Sequence, residues 1–150
     1  MDYIKESEKY LENYTRLERS IENLEFQIEK LNMSRTSDNL TQHFDVTGIR
    51  GSRKDLDAEN QLMRWTQLRA MITETHEEIN NIDKNLELIS LDKGCEYYGK
   101  LLRMWYIDKA DTTLIAEEMG YHRTKIYGIK KDALKKLSVQ LFGKRALAAI

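Results

Sequence analysis

Apolar residues recur every seven positions in the first part of the chain. One row contains Tyr3, Tyr10, Leu17, Leu24 and Leu31, and a second row contains Ser7, Tyr14, Ile21 and Ile28. A repeat that averages 3.5 residues is typical of the buried seam of a coiled coil, and isoleucine opposite a leucine row favours two strands. The pattern predicts a long helix that pairs with a second helix.

The heptad pattern stops near Asn32. Residues 33–54 are rich in Ser, Thr, Asn, Asp and Gly and show no helical period, which predicts a loop that is disordered by default. A short strand around Phe44 and Val46 is a weaker alternative. The basic residues of this loop leave a contact with nucleic acid or with a protein open.

A second heptad helix is predicted from about Leu56 to Leu91. One row contains Ala58, Trp65, Ile72, Ile79 and Leu86, and the other contains Leu68, Thr75, Ile82 and Ile89. Each long helix carries an apolar stripe that must be buried. The two helices can fold back as an antiparallel hairpin, or each can pair with its copy, and we expect both kinds of contact in a homodimer.

A domain boundary is predicted at Lys93-Gly94, since a basic residue followed by glycine commonly ends a helix. Residues 1–92 then form a helical dimerisation region, and residues 93–150 form a second domain. The second domain begins with one apolar helix over residues 95–107. Residues 108–111 make the turn that follows this helix.

Residues 111–137 fit two helices that are joined by a turn. Asp111 stands where a carboxylate can cap the first helix, and His122 occupies the cap position of the second, where serine is the stronger choice. Gly120 lies at the turn, where a positive φ favours glycine. The predicted inner faces contain Leu114, Ile115, Ala116, Met119, Ile126, Ile129, Ala133, Leu134 and Leu137.

The outer face of the second helix, at about residues 123–137, has side chains that suit DNA. The candidate DNA-binding residues are Arg123, Thr124, Lys125, Tyr127, Lys130 and Lys131. Arginine and lysine pair with guanine edges and threonine meets the thymine methyl, whereas later lysines suit phosphates. Basic residues near a helix C-terminus also interact favourably with the helix dipole, which accounts for Lys135 and Lys136. The dipole does not account for cations at the N-terminal end.

Gly128 lies inside this second helix, where it costs about 1 kcal/mol relative to alanine. Two explanations are open. Either the DNA backbone approaches the helix closely at this position, or the preceding helix packs closely against it.

The charge of the chain is divided unevenly between the two predicted domains. Residues 93–150 carry 12 Lys and Arg against 6 Asp and Glu, whereas the whole chain has a formal net charge of −1. The first domain is therefore acidic and the second is basic. A basic domain suits a polyanionic partner.

The segment LIAEEMGYHRTKIYGIKKDALKKL, residues 114–137, resembles the helix-turn-helix of sigma-70 region 4. The shared features are the "IA…MG" of the first helix, the spacing of Ile126 and Ile129, and the closing "ALKKL". The layout is similar to that of RinA/ArpU-type late-operon transcriptional regulators from phages of Gram-positive bacteria. The resemblance implies a sequence-specific activator of phage late genes that binds double-stranded DNA in the bacterial cytoplasm. No segment for core clamping or −10 reading is recognisable, which argues against a complete sigma factor, although contact with RNA polymerase stays open.

Two other functions remain alternatives at this point. A small-terminase-like packaging protein also combines such a motif with coiled coils, although its motif usually comes first. A coiled-coil adaptor would use the same fold to bind proteins. We expect no enzyme activity, cofactor, metal or membrane span, because nucleophile motifs, phosphate loops, metal-ligand spacings and long apolar runs are all missing from the sequence.

Overall fold

The structure, a computed structural model, describes residues 1–42 and 51–150, with side chains for residues 1–34 and 56–150. The helices are α1 (Tyr3–Gln42), α2 (Gly51–Ile89), α3 (Tyr98–Leu102), α4 (Thr112–Met119), α5 (Arg123–Phe142) and α6 (Lys144–Ala149). The described residues contain no strand, so the all-α prediction is confirmed for them. Within the same residues, no helix combines the length and apolarity that crossing a bilayer requires.

The chain divides into two compact units. One comprises Leu17–Glu77, and the other combines Met1–Arg16 with Glu78–Ile150. Both units therefore contain a part of α1 and a part of α2. The boundary predicted at Lys93 lies in the turn that follows α2, inside the larger unit.

In the unit Leu17–Glu77, α1 packs against α2 through the predicted heptad positions. The buried cluster contains Leu24, Ile28, Leu68 and Ile72. Trp65 packs against this cluster, and the Arg64 guanidinium donates to the Gln27 side-chain oxygen at 3.1 Å. The two heptad stripes are thus paired within one chain here.

The predicted loop over residues 33–54 is wrong where the structure describes it. Helix α1 continues to Gln42 and α2 already begins at Gly51. Residues 33–42 contain no proline or glycine, and Ser, Thr and Asn each lower helix stability by less than about 0.7 kcal/mol relative to alanine. The helix therefore outlasts its heptad pattern. The alternative strand around Phe44 and Val46 falls outside the described residues.

In the larger unit, the first sixteen residues of the chain run antiparallel to the end of α2. The Asn85 amide donates to the Tyr10 hydroxyl at 2.9 Å, and Tyr14 donates to Asp83 at 3.2 Å. The buried residues of this pair are Ser7, Leu11, Tyr14, Ile79, Ile82, Leu86 and Ile89. Leu11 lies outside both predicted rows but is fully buried, so the stripe is wider here than a two-stranded seam.

The apolar helix predicted over residues 95–107 is divided. Residues up to Tyr97 form a turn, α3 follows, and Arg103–Ile107 continue it as a π-helical turn. The Asp108 N–H donates to the Arg103 carbonyl at 2.9 Å, five residues back. This wider turn leaves Trp105 half-buried between Met104 and Tyr106, which are both buried.

Helix α3 approaches the end of α2 very closely at Gly99. The Gly99 N–H donates to the Ser90 hydroxyl, and this hydroxyl donates to the Leu86 carbonyl, both at 2.9 Å. A Cβ at position 99 would lie 2.4 Å from the Leu86 carbonyl oxygen. Only glycine fits this crossing without a backbone shift.

Candidate nucleic-acid interface

Residues 120–122 connect α4 to α5. Gly120 adopts φ 70° and ψ 27°, the left-handed conformation that the sequence predicted for it. The Tyr121 N–H donates to the Ala116 carbonyl at 3.2 Å, which satisfies one carbonyl at the end of α4. This turn lets α5 begin at Arg123 after only three connecting residues.

Asp111 and His122 occupy the predicted N-cap positions but form no capping hydrogen bond through their side chains. Asp111 and His122 have the extended backbone of N-cap residues, yet neither side chain accepts a hydrogen bond from its helix. Both side chains are exposed, so water can satisfy the carboxylate and the imidazole. The side-chain cap expected from Asp111 is therefore wrong.

A small apolar core fixes α4 and α5 against α3 and the π-helical turn. Its buried residues are Leu101, Met104, Ile115, Met119 and Ile126. In the second half of α5, Ala133, Leu134 and Leu137 are buried as predicted. Leu114 is 46% exposed, so its assignment to the inner face is wrong. Ile115, about 100° further around the helix, is fully buried, as predicted.

The candidate DNA-binding side chains surround the first turns of α5. Arg123, Thr124, Lys125, Tyr127 and Lys131 are exposed, and Lys130 is half-buried. Thr124, Gly128 and Lys131 follow each other at spacings of four and three, so they share one exposed stripe. Lys125 lies at one edge of the exposed face and Arg123 lies at the other.

Gly128 lies in the middle of this stripe. Apart from the adjacent residues and the backbone of its own helical turns, no heavy atom of the described residues lies within 4 Å of the position that a Cβ would occupy. Close packing against the preceding helix is therefore wrong as the explanation for this glycine. A close approach by something outside the chain remains.

The first nine residues of α5 contain four cations and no carboxylate. Among the described residues, no carboxylate forms an ion pair with Arg123, Lys125 or Lys131. The end of the helix differs, because Lys136 contacts the Asp92 carboxylate and this hydrogen bond raises the pKa of Lys136. The positive charge without an ion pair is thus concentrated in the N-terminal half of α5, and the helix dipole disfavours the two cations of its first turn, Arg123 and Lys125.

Aromatic rings hold two of these lysines. The Lys125 ammonium lies 4.2 Å from the centroid of the Tyr121 ring, and the Lys130 ammonium lies 4.3 Å from that of Trp105. Tyr127 meets Trp105 edge to face, with the ring centroids 5.4 Å apart. Trp105 and Tyr121 were not predicted as part of this surface. The sequence gives no sign of the π-helical turn that brings Trp105 to it.

A shallow cleft of ≈ 340 Å³ lies between α4 and the start of α5. It is lined by Thr113, Ala116, Glu117, Gly120, Tyr121, His122 and Arg123. Across the part of the chain that the structure describes, no three or more His, Cys, Asp or Glu residues are arranged to hold a metal ion. The surface around α5 thus offers cations, hydroxyls and aromatic rings.

Comparison of the chain with protein-family models, with curated proteins and with solved structures found no match.

Proposed function

We propose that the protein is a sequence-specific DNA-binding regulator of transcription, and that α4 and α5 act as a helix-turn-helix of the sigma-70 region 4 kind. The observation that carries this proposal is the exposed face of α5, which combines cations without an ion pair, Thr124 and a glycine whose Cβ position faces open space. Such a face suits a major groove, because the duplex supplies the anions and admits an α-helix. The helix dipole disfavours a cation at the N-terminal end of a helix, and an anionic partner offsets this cost.

The side chains of α5 divide into two roles in this proposal. Arg123 and Thr124 lie at the N-terminal end of α5, the part of a recognition helix that reaches base edges. Arg123 would pair with a guanine and Thr124 would meet a thymine methyl. Lys131 lies two turns further along the helix, where a lysine contacts phosphates and adds affinity without sequence preference.

We also propose that the active form is a homodimer that presents two such helices to two half-sites. Support comes from large apolar side chains in the unit Leu17–Glu77 that lie exposed on both long helices. They are Phe26, Met33, Leu56, Leu62, Met63 and Met71. Burying these side chains against a second copy would remove apolar area from water. Light scattering tests this, since a ring of many copies would favour a packaging protein instead.

Activation of phage late genes, with or without contact to RNA polymerase, completes the proposal. It rests on the resemblance of residues 114–137 to sigma-70 region 4 and on the layout of the whole chain.

Selection of bound fragments from a random duplex library, followed by affinity measurements, tests the function. Arg123→Ala should weaken binding to the selected site by about 1–3 kcal/mol and relax the preference at one or two base pairs. Lys131→Ala is the matched control, which should weaken all sequences alike and reduce the salt slope by about one. Equal affinity of the unaltered protein for selected and random duplexes at physiological salt would exclude sequence-specific recognition.

A further inference from the structure

Trp105 lies outside α4 and α5 but contacts two of the candidate DNA-binding residues of α5, Tyr127 and Lys130. Its ring meets the Tyr127 ring edge to face, and the Lys130 ammonium lies 4.3 Å from its centroid. The same ammonium lies 5.5 Å from the Tyr106 ring. The side of α5 that contains Lys130 therefore rests on an aromatic platform that the π-helical turn provides.

This platform restrains a side chain that is otherwise flexible. A lysine has four rotatable side-chain bonds and loses much conformational freedom when it is ordered. An ammonium over the face of a tryptophan is attracted by the negative face of the ring. Since the ammonium has three N–H donors, those that point away from the ring stay available to an anion.

We propose that Trp105 is a positioning residue for phosphate recognition, which holds the Lys130 ammonium where a phosphate of double-stranded DNA meets it. The inference rests on the proposed function and extends the surface to a residue before α4. Lys130 is thereby ordered before DNA arrives, so binding loses less side-chain entropy. Tyr127, one turn before Lys130 on α5, packs edge to face against the same Trp105 ring.

Lys131 provides a matched comparison for Lys130. It is the next residue of the same helix and is exposed, whereas Lys130 is half-buried. Among the described residues, no aromatic ring holds its ammonium. Removal of the ring at position 105 should therefore affect the contribution of Lys130 and leave that of Lys131 unchanged.

A double-mutant cycle on DNA affinity measures this coupling. Trp105→Leu should weaken binding about 2- to 10-fold, the effect of releasing one ordered lysine. The same change in a Lys130→Gln background should have little further effect, whereas in a Lys131→Gln background it should act in full. Equal effects of Trp105→Leu in all three backgrounds would contradict the proposal.

Fluorinated tryptophans extend the test to a protein that keeps the shape of the ring, in case Trp105→Leu disturbs the fold. Incorporation into a Trp65→Phe variant leaves Trp105 as the one labelled position, because the chain has two tryptophans. Each added fluorine withdraws charge from the ring face and should weaken DNA binding stepwise. In a Lys130→Gln background the series should be flat, whereas a flat series with Lys130 present would overturn the inference.

These outcomes separate the inference from the function on which it rests. If the unaltered protein binds no DNA at low salt, both are wrong. If it binds DNA and the Trp105 series has no effect that depends on Lys130, the positioning role alone is wrong and the proposed function stands.

Discussion

At the scale of single residues, two glycines in helices have opposite surroundings. A Cβ at position 99 would lie 2.4 Å from the Leu86 carbonyl oxygen and 2.6 Å from the Ser90 hydroxyl. The carbonyl belongs to the backbone of α2 and has little room to move. We expect Gly99→Ala to lower the free energy of unfolding by about 1–3 kcal/mol, the usual range for overpacking, as measured by urea denaturation.

Gly128→Ala is the matched control, because its Cβ position faces open space among the described residues. We expect this change to raise the free energy of unfolding by about 1 kcal/mol, since alanine is the better helix former. It should also weaken DNA binding if the backbone of a duplex approaches the helix at this stripe. A loss of stability in Gly128→Ala, or none in Gly99→Ala, would contradict the packing described for the two glycines.

At the scale of elements, the sequence predicted the features that depend on local sequence pattern, such as helix faces and the turn glycine. Within the heptad rows, Leu24, Ile28, Leu68 and Ile72 are buried as expected, because the apolar side of each helix packs against the other helix. Gly120 has the predicted left-handed backbone, since this requirement is local to a turn. The exposed positions of Arg123 and Lys131 follow from the same helical period.

Features that depend on tertiary contacts could not be predicted in this way. The π-helical turn at Arg103–Ile107 carries no distinctive residues, and Trp105, which lies in it, packs against the core that includes Ile126 of α5. Helix α1 extends past its last heptad because residues 33–42 contain no proline or glycine to end it. These residues lack a heptad pattern, so a search for periodicity predicts a loop. The hydrogen bond between Tyr106 and Glu8 joins residues 98 positions apart, a distance at which a single sequence gives no signal.

This hydrogen bond also predicts how stability depends on pH. Burial and the bond that the Tyr106 hydroxyl donates to Glu8, at 2.7 Å, both favour the neutral phenol and raise the pKa of Tyr106 in the folded chain. An unfolded tyrosine titrates near pH 10. The contribution of Tyr106 to the free energy of unfolding is therefore complete below about pH 10 and is lost as pH rises further toward the folded pKa.

Tyr106→Phe tests this linkage. The free energy of unfolding of the variant should be about 1 kcal/mol lower than that of the unaltered protein at neutral pH. This difference should shrink above about pH 10. Denaturant unfolding at neutral and at strongly alkaline pH measures both effects. Tyr97→Phe, at a tyrosine that is 50% exposed, should change little at either pH. A Tyr106→Phe difference that is constant across this range would contradict the assigned role of the hydroxyl.

At the scale of the whole molecule, the C-terminal helices belong to one compact unit with the first sixteen residues. Arg103 contacts Asp83, and the Gln140 amide donates to the Asn85 side chain at 2.7 Å. The Tyr3 and Phe142 rings lie with their centroids 5.2 Å apart. The contacts around residues 93–150 therefore extend into both long helices, although the sequence places a boundary at Lys93.

A comparison of two shortened chains tests this arrangement. A fragment of residues 93–150 lacks Asn85 and Asp83, the hydrogen-bond partners of Gln140 and Arg103. It also lacks Tyr3, the ring that Phe142 contacts. We expect it to unfold at a lower temperature and less cooperatively than the full chain when circular dichroism follows the melt. A chain in which a short flexible linker joins residues 1–16 to 78–150 retains the entire unit and should melt cooperatively. If the 93–150 fragment melts as sharply and at the same temperature as the full chain, the α1 segment has no part in stabilising the α5 surface.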